Sequence, residues 1–306
     1  MVITGSWLKT AAIHDEHWQP EEIENPEMLM AKLKSQSVRA DIFTFAQKLT
    51  DRKPRFPYAL EWENAAAIPI RSYVEWWDGL PQETRKNVRR AGKRDVTVRP
   101  VIFDDSLVEG IKAIYDETPV RQGRAFWHYG KDFATVKREN GTYLDRCDFL
   151  GAFCGGELIG FLKMVYVGRV SSIMQIISKN QHFDKRPTNA LIAKAVEVCE
   201  HKKMAYFVYG QYVYGKDSAG PLTEFKRRNG FEQILFPRYY VPLTTWGRAC
   251  MKCGLHLGVK RFVPGRLERA LLKWRTQLHR LRGASGGTHT SPSGQRAVVE
   301  SGKEED

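Results

Sequence analysis

Three short stretches of this chain hold side chains whose types and spacing could do chemistry. In Phe225-Lys226-Arg227-Arg228-Asn229-Gly230-Phe231, a lysine stands four residues before a glycine suited to the left-handed end of a helix. If that helix overlooks the open end of a sheet, an ammonium there can donate a proton or steady a developing oxyanion. The same three cations also read as an ordinary solvated helix face. In Arg121-Gln122-Gly123-Arg124-Ala125-Phe126-Trp127-His128-Tyr129-Gly130-Lys131, His128 has the proton affinity of a general base near neutral pH. Arg121 and Arg124 carry forks that could grip an anion bidentately. A histidine among aromatic rings equally serves as a hydrogen-bonded structural residue. Glu117, just upstream, is a weaker candidate for the base. The third stretch, Gln181 to Asn189, opens a helix at Pro187, and the free N–H groups of a helix start favour anions. It has no glycine and Pro187 removes one donor, while Lys185 and Arg186 add charge. A plain helix start flanked by solvated cations fits the same residues.

Two further features have simpler readings. Cys250-Met251-Lys252-Cys253 with His256 nearby falls short of the four ligands a zinc site needs, so no metal is expected. The five cysteines of this 306-residue chain read as reduced thiols and not as a disulfide framework. The net charge of +13 is concentrated: ten Lys or Arg lie between Trp246 and Arg282, opposed by Glu268 alone. That points to an anionic partner at the C-terminal segment and away from a wholly nucleic-acid-binding protein.

The elements that must carry these groups are legible from apolar periodicity and turn residues. Asp41–Gln47 and Tyr58–Ile70 read as strands, and Leu80–Lys93 as a short basic helix with Pro81 in its first turn. A strand over Val96–Phe103 and a helix from Ser106 precede the Arg121–Lys131 stretch, and a further helix runs to Leu144. From Asp148, apolar runs broken by Cys154-Gly155-Gly156-Glu157 and by Gly168-Arg169 predict two tight reversals. Val170–Ser178 reads as a strand, Thr188–His201 as a helix, and Met204–Gln211 as a strand. Leu222–Asn229 reads as a helix ended by Gly230, and Glu232–Leu243 as the last strand. Past Trp246, Leu267, Leu271, Trp274, Leu278 and Leu281 share one helical face beside a basic one. The Ser/Gly-rich tail after Gly283 is expected to be disordered. No apolar run is long enough for a signal peptide or a membrane span.

This order of elements resembles the GNAT acyltransferase fold, and more narrowly its FemAB-like, or BioF2-like, branch. The resemblance spans Val96 to Leu243. It extends backward through Leu80-Pro81 and the basic run Val88-Arg89-Arg90-Ala91-Gly92-Lys93, and forward through Phe225-Lys226 with Asn229-Gly230-Phe231. It implies an acyl carrier lying against Ile176, Ile177 and Ser178, near Lys185, Arg186, Thr188 and Asn189, with Phe225 beside it. It implies catalysis by Lys226, with His128 and Glu117 as candidate bases. Arg121, Gln122, Arg124, Tyr129 and Lys131 would bind the acceptor together with Tyr209, Gln211 and Tyr214.

The resulting expectation is an α/β chain with a mixed sheet. A smaller related unit covers residues 1–95, a GNAT-like domain 96–245, a basic amphipathic helix 246–282 and a tail 283–306. The expected reaction moves an acyl group to an amine of a small molecule, glycan or peptide, such as a cell-envelope precursor. Acyl-CoA is the preferred donor because the chain is short and lacks the helical arm of many FemA-type ligases. Aminoacyl-tRNA is the alternative donor, and a non-catalytic module binding anionic membrane or RNA is the second alternative. No permanently bound cofactor and no DNA partner are expected. The expected location is the cytoplasm, with residues 264–282 as a peripheral contact to an anionic membrane face.

Overall fold

The computed structural model describes residues 1–258 apart from 21, 36–38, 122 and 215–219. Gln122, the amphipathic stripe from 264 to 282 and the tail from 283 lie outside the described residues. The chain opens with strands β1 (Val2–Thr4) and β2 (Thr10–Ala12), helix α1 (Pro26–Ser35) and strands β3 (Ile42–Ala46) and β4 (Ala59–Pro69). Helices α2 (Tyr73–Gly79) and α3 (Gln82–Lys93) lead to β5 (Thr97–Val101) and α4 (Asp105–Tyr115). A two-residue-per-arm hairpin, β6 (Val120–Arg121) and β7 (Arg124–Ala125), precedes α5 (Phe133–Asn140). Then come β8 (Cys147–Cys154), β9 (Glu157–Val167), β10 (Val170–Ser178), α6 (Pro187–His201), β11 (Tyr206–Val208), α7 (Pro221–Arg228), β12 (Glu232–Pro242) and α8 (Thr245–Lys252).

Ten strands form one mixed sheet in the order β1-β2-β3-β12-β4-β11-β10-β9-β8-β5. The α/β class and the order of elements from β5 to β12 are those expected. Residue 95 does not divide the sheet: β4 pairs antiparallel with β12 from Ala59 to Ala67 and with β11 from Ala67 to Pro69. Two elements of the first 95 residues, β3 and β4, therefore sandwich the last strand among the described residues, β12. The turns follow from conformation. Gly155 and Gly156 take φ of +58° and +85°, and Gly168 takes +56°, values that cost glycine little.

Strands β8 to β10 are covered on both faces, which explains their near-continuous apolar sequence. Leu162 and Ile176 pack against Leu191, Ile192 and Ala195 of α6. Their neighbours Phe161 and Ile177 point the other way, to Leu107, Val108, Ile111 and Ile114 of α4. The sequence places no helix over Pro26–Ser35 or Tyr73–Gly79, where few side chains are buried: Pro26 and Leu33 in α1, Trp76 in α2. The strand expected over Met204–Gln211 is shorter, Tyr206–Val208, because Lys203 is left-handed at φ +55° and the chain leaves β10 after Val208. Among the described residues no helix is long and apolar enough to cross a membrane.

One buried cation ties the N-terminal segment to the sheet. Arg238 of β12 donates to Glu63 of β4 (2.7 Å), to Glu16 (2.7 Å) and to Thr44 Oγ1 of β3 (3.3 Å). Glu16 also accepts the Ala46 N–H at 2.7 Å. Removing the guanidinium would leave two poorly solvated carboxylates facing one another. We expect Arg238→Met to cost about 3–5 kcal/mol in urea unfolding. A loss near that of an exposed pair, under about 1 kcal/mol, would show that the network contributes no more than surface ion pairs do.

Candidate active site

The site is built where β10 and β11 part. They pair in parallel only over Val170–Ser172 and Tyr206–Val208. Beyond that, β10 takes an irregularity between Ile173 and Gln175 and continues beside β9 to Ser178. The chain after β11 stays with β4 instead: the Tyr209 N–H donates to the Ala66 carbonyl and the Ala66 N–H to the Gly210 carbonyl, both at 2.8 Å. Gly210 turns the chain away with φ of +58°. From Ile173 on, β10 has no strand partner on that side among the described residues.

Lys226 of α7 ends at this parting. It is fully buried. Its Nζ donates to the Gln211 carbonyl at 2.6 Å and lies 4.7 Å from the Tyr209 ring centre and 4.8 Å from that of Tyr214. A carbonyl and two ring faces favour the ammonium, but among the described residues no carboxylate pairs with it. Burial brings its pKa down to about 7. The solvated face of α7 is made by Arg227 and Arg228, both paired with Glu224.

The end of α7 is locked in place. Asn229 Nδ2 donates to the Phe225 carbonyl (2.8 Å), and Asn229 Oδ1 accepts from Asn189 Nδ2 of α6 (2.9 Å). Trp76 Nε1 of α2 donates to the Asn229 carbonyl at 3.1 Å. Gly230, at φ +84°, lies so close to that indole that a Cβ would stand 2.7 Å from Nε1. The glycine is required here by both backbone and space.

His128 approaches from the other face of the sheet. It is buried and stacked on Tyr115 at 4.2 Å between ring centres. Its Nε2 lies 3.1 Å from Gln175 Nε2, and Gln175 Oε1 accepts from the Tyr115 hydroxyl at 2.9 Å. Asn140 Nδ2 donates to that hydroxyl at 3.3 Å. Lys131 Nζ is 3.5 Å from His128 Nδ1, held by both oxygens of Glu139 (2.7 and 2.9 Å). Burial, and then the charges of Lys131 and Arg121, hold the His128 pKa down to about 3. The imidazole is neutral at physiological pH.

Glu117 and Arg121 form a clamp at the end of β10. The Glu117 carboxylate accepts the N–H groups of Asn180 (2.7 Å) and Gln181 (2.9 Å) and pairs with Arg121 (3.1 Å). Arg121 also donates to the carbonyls of Ser178 (3.0 Å) and Ile114 (3.3 Å). Arg124 and Tyr129 are exposed. Ile176, Ile177 and Ser178 are buried, and Ser178 Oγ lies 3.0 Å from Thr188 Oγ1. Arg186 precedes α6 in the left-handed region (φ +58°) without a side-chain cap, Lys185 is half-buried beside it, and Phe225 packs against the α6-side core. The fold thus gathers Lys226, Tyr209, Gln211 and Tyr214 into one group, and His128 and Lys131 with Arg121 and Glu117 into another.

Sequence reasoning missed Gln175 and Tyr115, which hold His128, Asn140, which braces the Tyr115 hydroxyl, and the buried Lys163 of β9. Lys163 Nζ donates to the carbonyls of Asn140 (2.8 Å) and Thr142 (2.6 Å) and to Thr142 Oγ1 (3.0 Å). Its signal was present: a cation amid the apolar run Ile159 to Val167. Gln175 gave the same signal between Ile173 and Ile177.

No protein-family model matches the sequence, and no curated protein matches it. Solved structures do. The C-terminal (DUF2156) domain of a putative lysylphosphatidylglycerol synthetase from Agrobacterium fabrum superposes with a TM-score of 0.51 at 13% identity, over 83% of this chain and 84% of that one. FemX gives 0.49 at 12% identity, over 73% of this chain and 70% of that one. L-PGS from Bacillus licheniformis gives 0.46 at 12%, over 76% of each. The likeness to the Agrobacterium domain is one of fold.

The burial of His128 has a direct spectroscopic consequence. Its ring resonances should stay flat from pH 5 to 8 in a proton NMR titration, with the neutral shift throughout. A midpoint near 6.5 would mean that the imidazole is solvated and the Tyr115–Gln175 network is not formed.

Proposed function

We propose that this chain transfers an acyl group from an activated donor to an amine in the parting between β10 and β11. The observation that carries this reading is Lys226: a buried ammonium with a pKa of about 7, held at the mouth of the parting by a carbonyl and two rings. In the proposed reaction the neutral acceptor nitrogen attacks the donor carbonyl, forming the new C–N bond and a tetrahedral oxyanion. Collapse breaks the bond to the carrier. The Lys226 ammonium protonates the departing thiolate or alkoxide and regains a proton from the acceptor nitrogen. A pKa near 7 suits both transfers. Holding donor and acceptor in one cleft supplies much of the rate enhancement. His128, neutral and fully engaged, would orient the acceptor loop more readily than take a proton.

The edge of β10 beyond Ser172, open among the described residues, favours acyl-CoA as donor. Its pantetheine arm is extended and carries amides, the chemistry that pairs with an unpartnered strand edge. A second reading, aminoacyl-tRNA, is favoured by the start of α6. Pro187 offers no N–H and Arg186 is left-handed without glycine, so the helix start is a poorer seat for a diphosphate. The acceptor class would be a small-molecule, glycan or peptide amine, as in cell-envelope precursors. Contact of residues 264–282 with an anionic membrane remains part of the proposal.

Calorimetric titration of the whole chain with acetyl-CoA, longer acyl-CoAs, and charged and uncharged tRNA separates the donors. One class should bind saturably, and Lys226→Met should lower its turnover by about 10²-fold or more while leaving the fold intact. Failure of every donor to bind would defeat the reading and leave a non-catalytic module.

The Lys226 pKa also fixes a pH dependence. As an acid it is active when protonated, so turnover should fall as pH rises through about 7. Its folded pKa lies below the ordinary 10.5, so between about 7 and 10.5 the unfolded chain binds the extra proton. Stability should therefore rise with pH across that window. Lys226→Met should flatten that rise in pH-dependent urea unfolding, and an unchanged slope would mean that the ammonium is solvated.

A further inference from the structure

A cavity of about 470 Å³ lies in the N-terminal part of the chain, between the segment that joins β2 to α1 and the loop after β3. Its size falls within the roughly 300–1,000 Å³ of small-molecule sites. None of its lining residues belongs to the parting of β10 and β11. Ile23, Met28, Leu29, Phe45 and Phe56 give it an apolar lining.

Its walls are preformed. Gln47 is buried, and its amide donates to the carbonyls of Asp51 (3.0 Å) and Lys53 (2.9 Å). Gln47 Oε1 accepts from the Arg55 N–H (3.1 Å) and from the Tyr239 hydroxyl. Glu16 is committed to Ala46 and Arg238, and Tyr58 braces α1 through a hydrogen bond to Glu27. The cations of the lining are committed too. Arg55 is held by Glu22 (3.1 Å) and by Asp51, and Lys48 donates to the Gln19 carbonyl. Glu24, also in the lining, is exposed and has no side-chain partner among the described residues. In a chain of net charge +13, a cavity whose uncommitted charge is a carboxylate favours a cationic ligand.

We propose that this cavity binds a small primary amine bearing an alkyl or aryl group, its ammonium at Glu24 and its apolar body against Ile23, Leu29 and Phe56. Occupancy does not depend on whether the parting of β10 and β11 transfers acyl groups. Calorimetry of the full chain with hexylamine and 2-phenylethylamine, against hexanoate and 2-phenylethanol, tests it. The amines should bind saturably and about tenfold or more tighter than the controls. Glu24→Gln, at an exposed position that does not endanger folding, should weaken the amines several-fold and leave 2-phenylethanol unchanged. Ile23→Trp should fill the cavity and abolish binding, while Lys226→Met should leave it intact. Amines binding no better than hexanoate, or unaffected by Glu24→Gln, would overturn the proposal. Amine binding lost in Lys226→Met would overturn it equally, by moving the amine to the parting.

Discussion

The constraint on which the rest of the structure depends is the insertion of β4 between β11 and β12. β4 offers one edge to each, and both are taken. β11 therefore has β10 on one side and β4 on the other, and these two neighbours diverge. β10 stays with β9 to Ser178, while the chain after Val208 stays with β4 through Tyr209 and Gly210. A strand cannot follow both. The gap that opens is a consequence of pairing, and it leaves the carbonyl of Gln211 and the rings of Tyr209 and Tyr214 around the ammonium carried by α7.

The chemistry follows from how that ammonium is solvated. Arg238 is buried yet faces two carboxylates, and its role is cohesive. Lys226 has no counter-charge among the described residues, so burial acts on it without Coulombic compensation and its proton is loosely held. The rigid seating of α7, through Asn229, Asn189 and Trp76, is what keeps a costly group from swinging out to water. Such a group is expensive in a purely structural role, which is why perturbed lysines at clefts point to function.

Much of the fold was legible because its signals are local. The glycine pairs at the β8–β9 turn, Pro187 at the start of α6 and Gly230 at the end of α7 each act within a few residues. So does the two-faced apolar character of β8 to β10. The sheet order was not legible: nothing near Ala59–Pro69 states that it will lie between Tyr206–Val208 and Glu232–Pro242. Helices α1 and α2 bury too few side chains to leave a periodic trace. In the site, Lys226 was legible from its spacing to Gly230, and the aromatics after β11 from their place behind the penultimate strand. The environment of His128 was not, because its partners Tyr115 and Gln175, and Asn140 behind the Tyr115 hydroxyl, come from three separate elements. Glu117 likewise read as a candidate base, whereas the fold commits it to two backbone N–H groups and Arg121.

The two buried lysines show how satisfaction distinguishes a fastener from a reactive group. An ammonium has three N–H donors. Lys163 directs its Nζ to three acceptors, Asn140 O, Thr142 O and Thr142 Oγ1, and so ties the end of α5 to β9. Burial lowers its pKa to about 8. Lys226 has one such acceptor among the described residues, the Gln211 carbonyl, and meets ring faces with the rest. A ring face holds a cation without directing a single N–H, so the remaining protons can turn toward an incoming oxyanion or leaving atom at little cost. Three directed bonds would forbid that rotation. The difference in hydrogen bonding, more than the difference in pKa, separates the two lysines, and it is what would suit Lys226, and not Lys163, to the proposed group transfer.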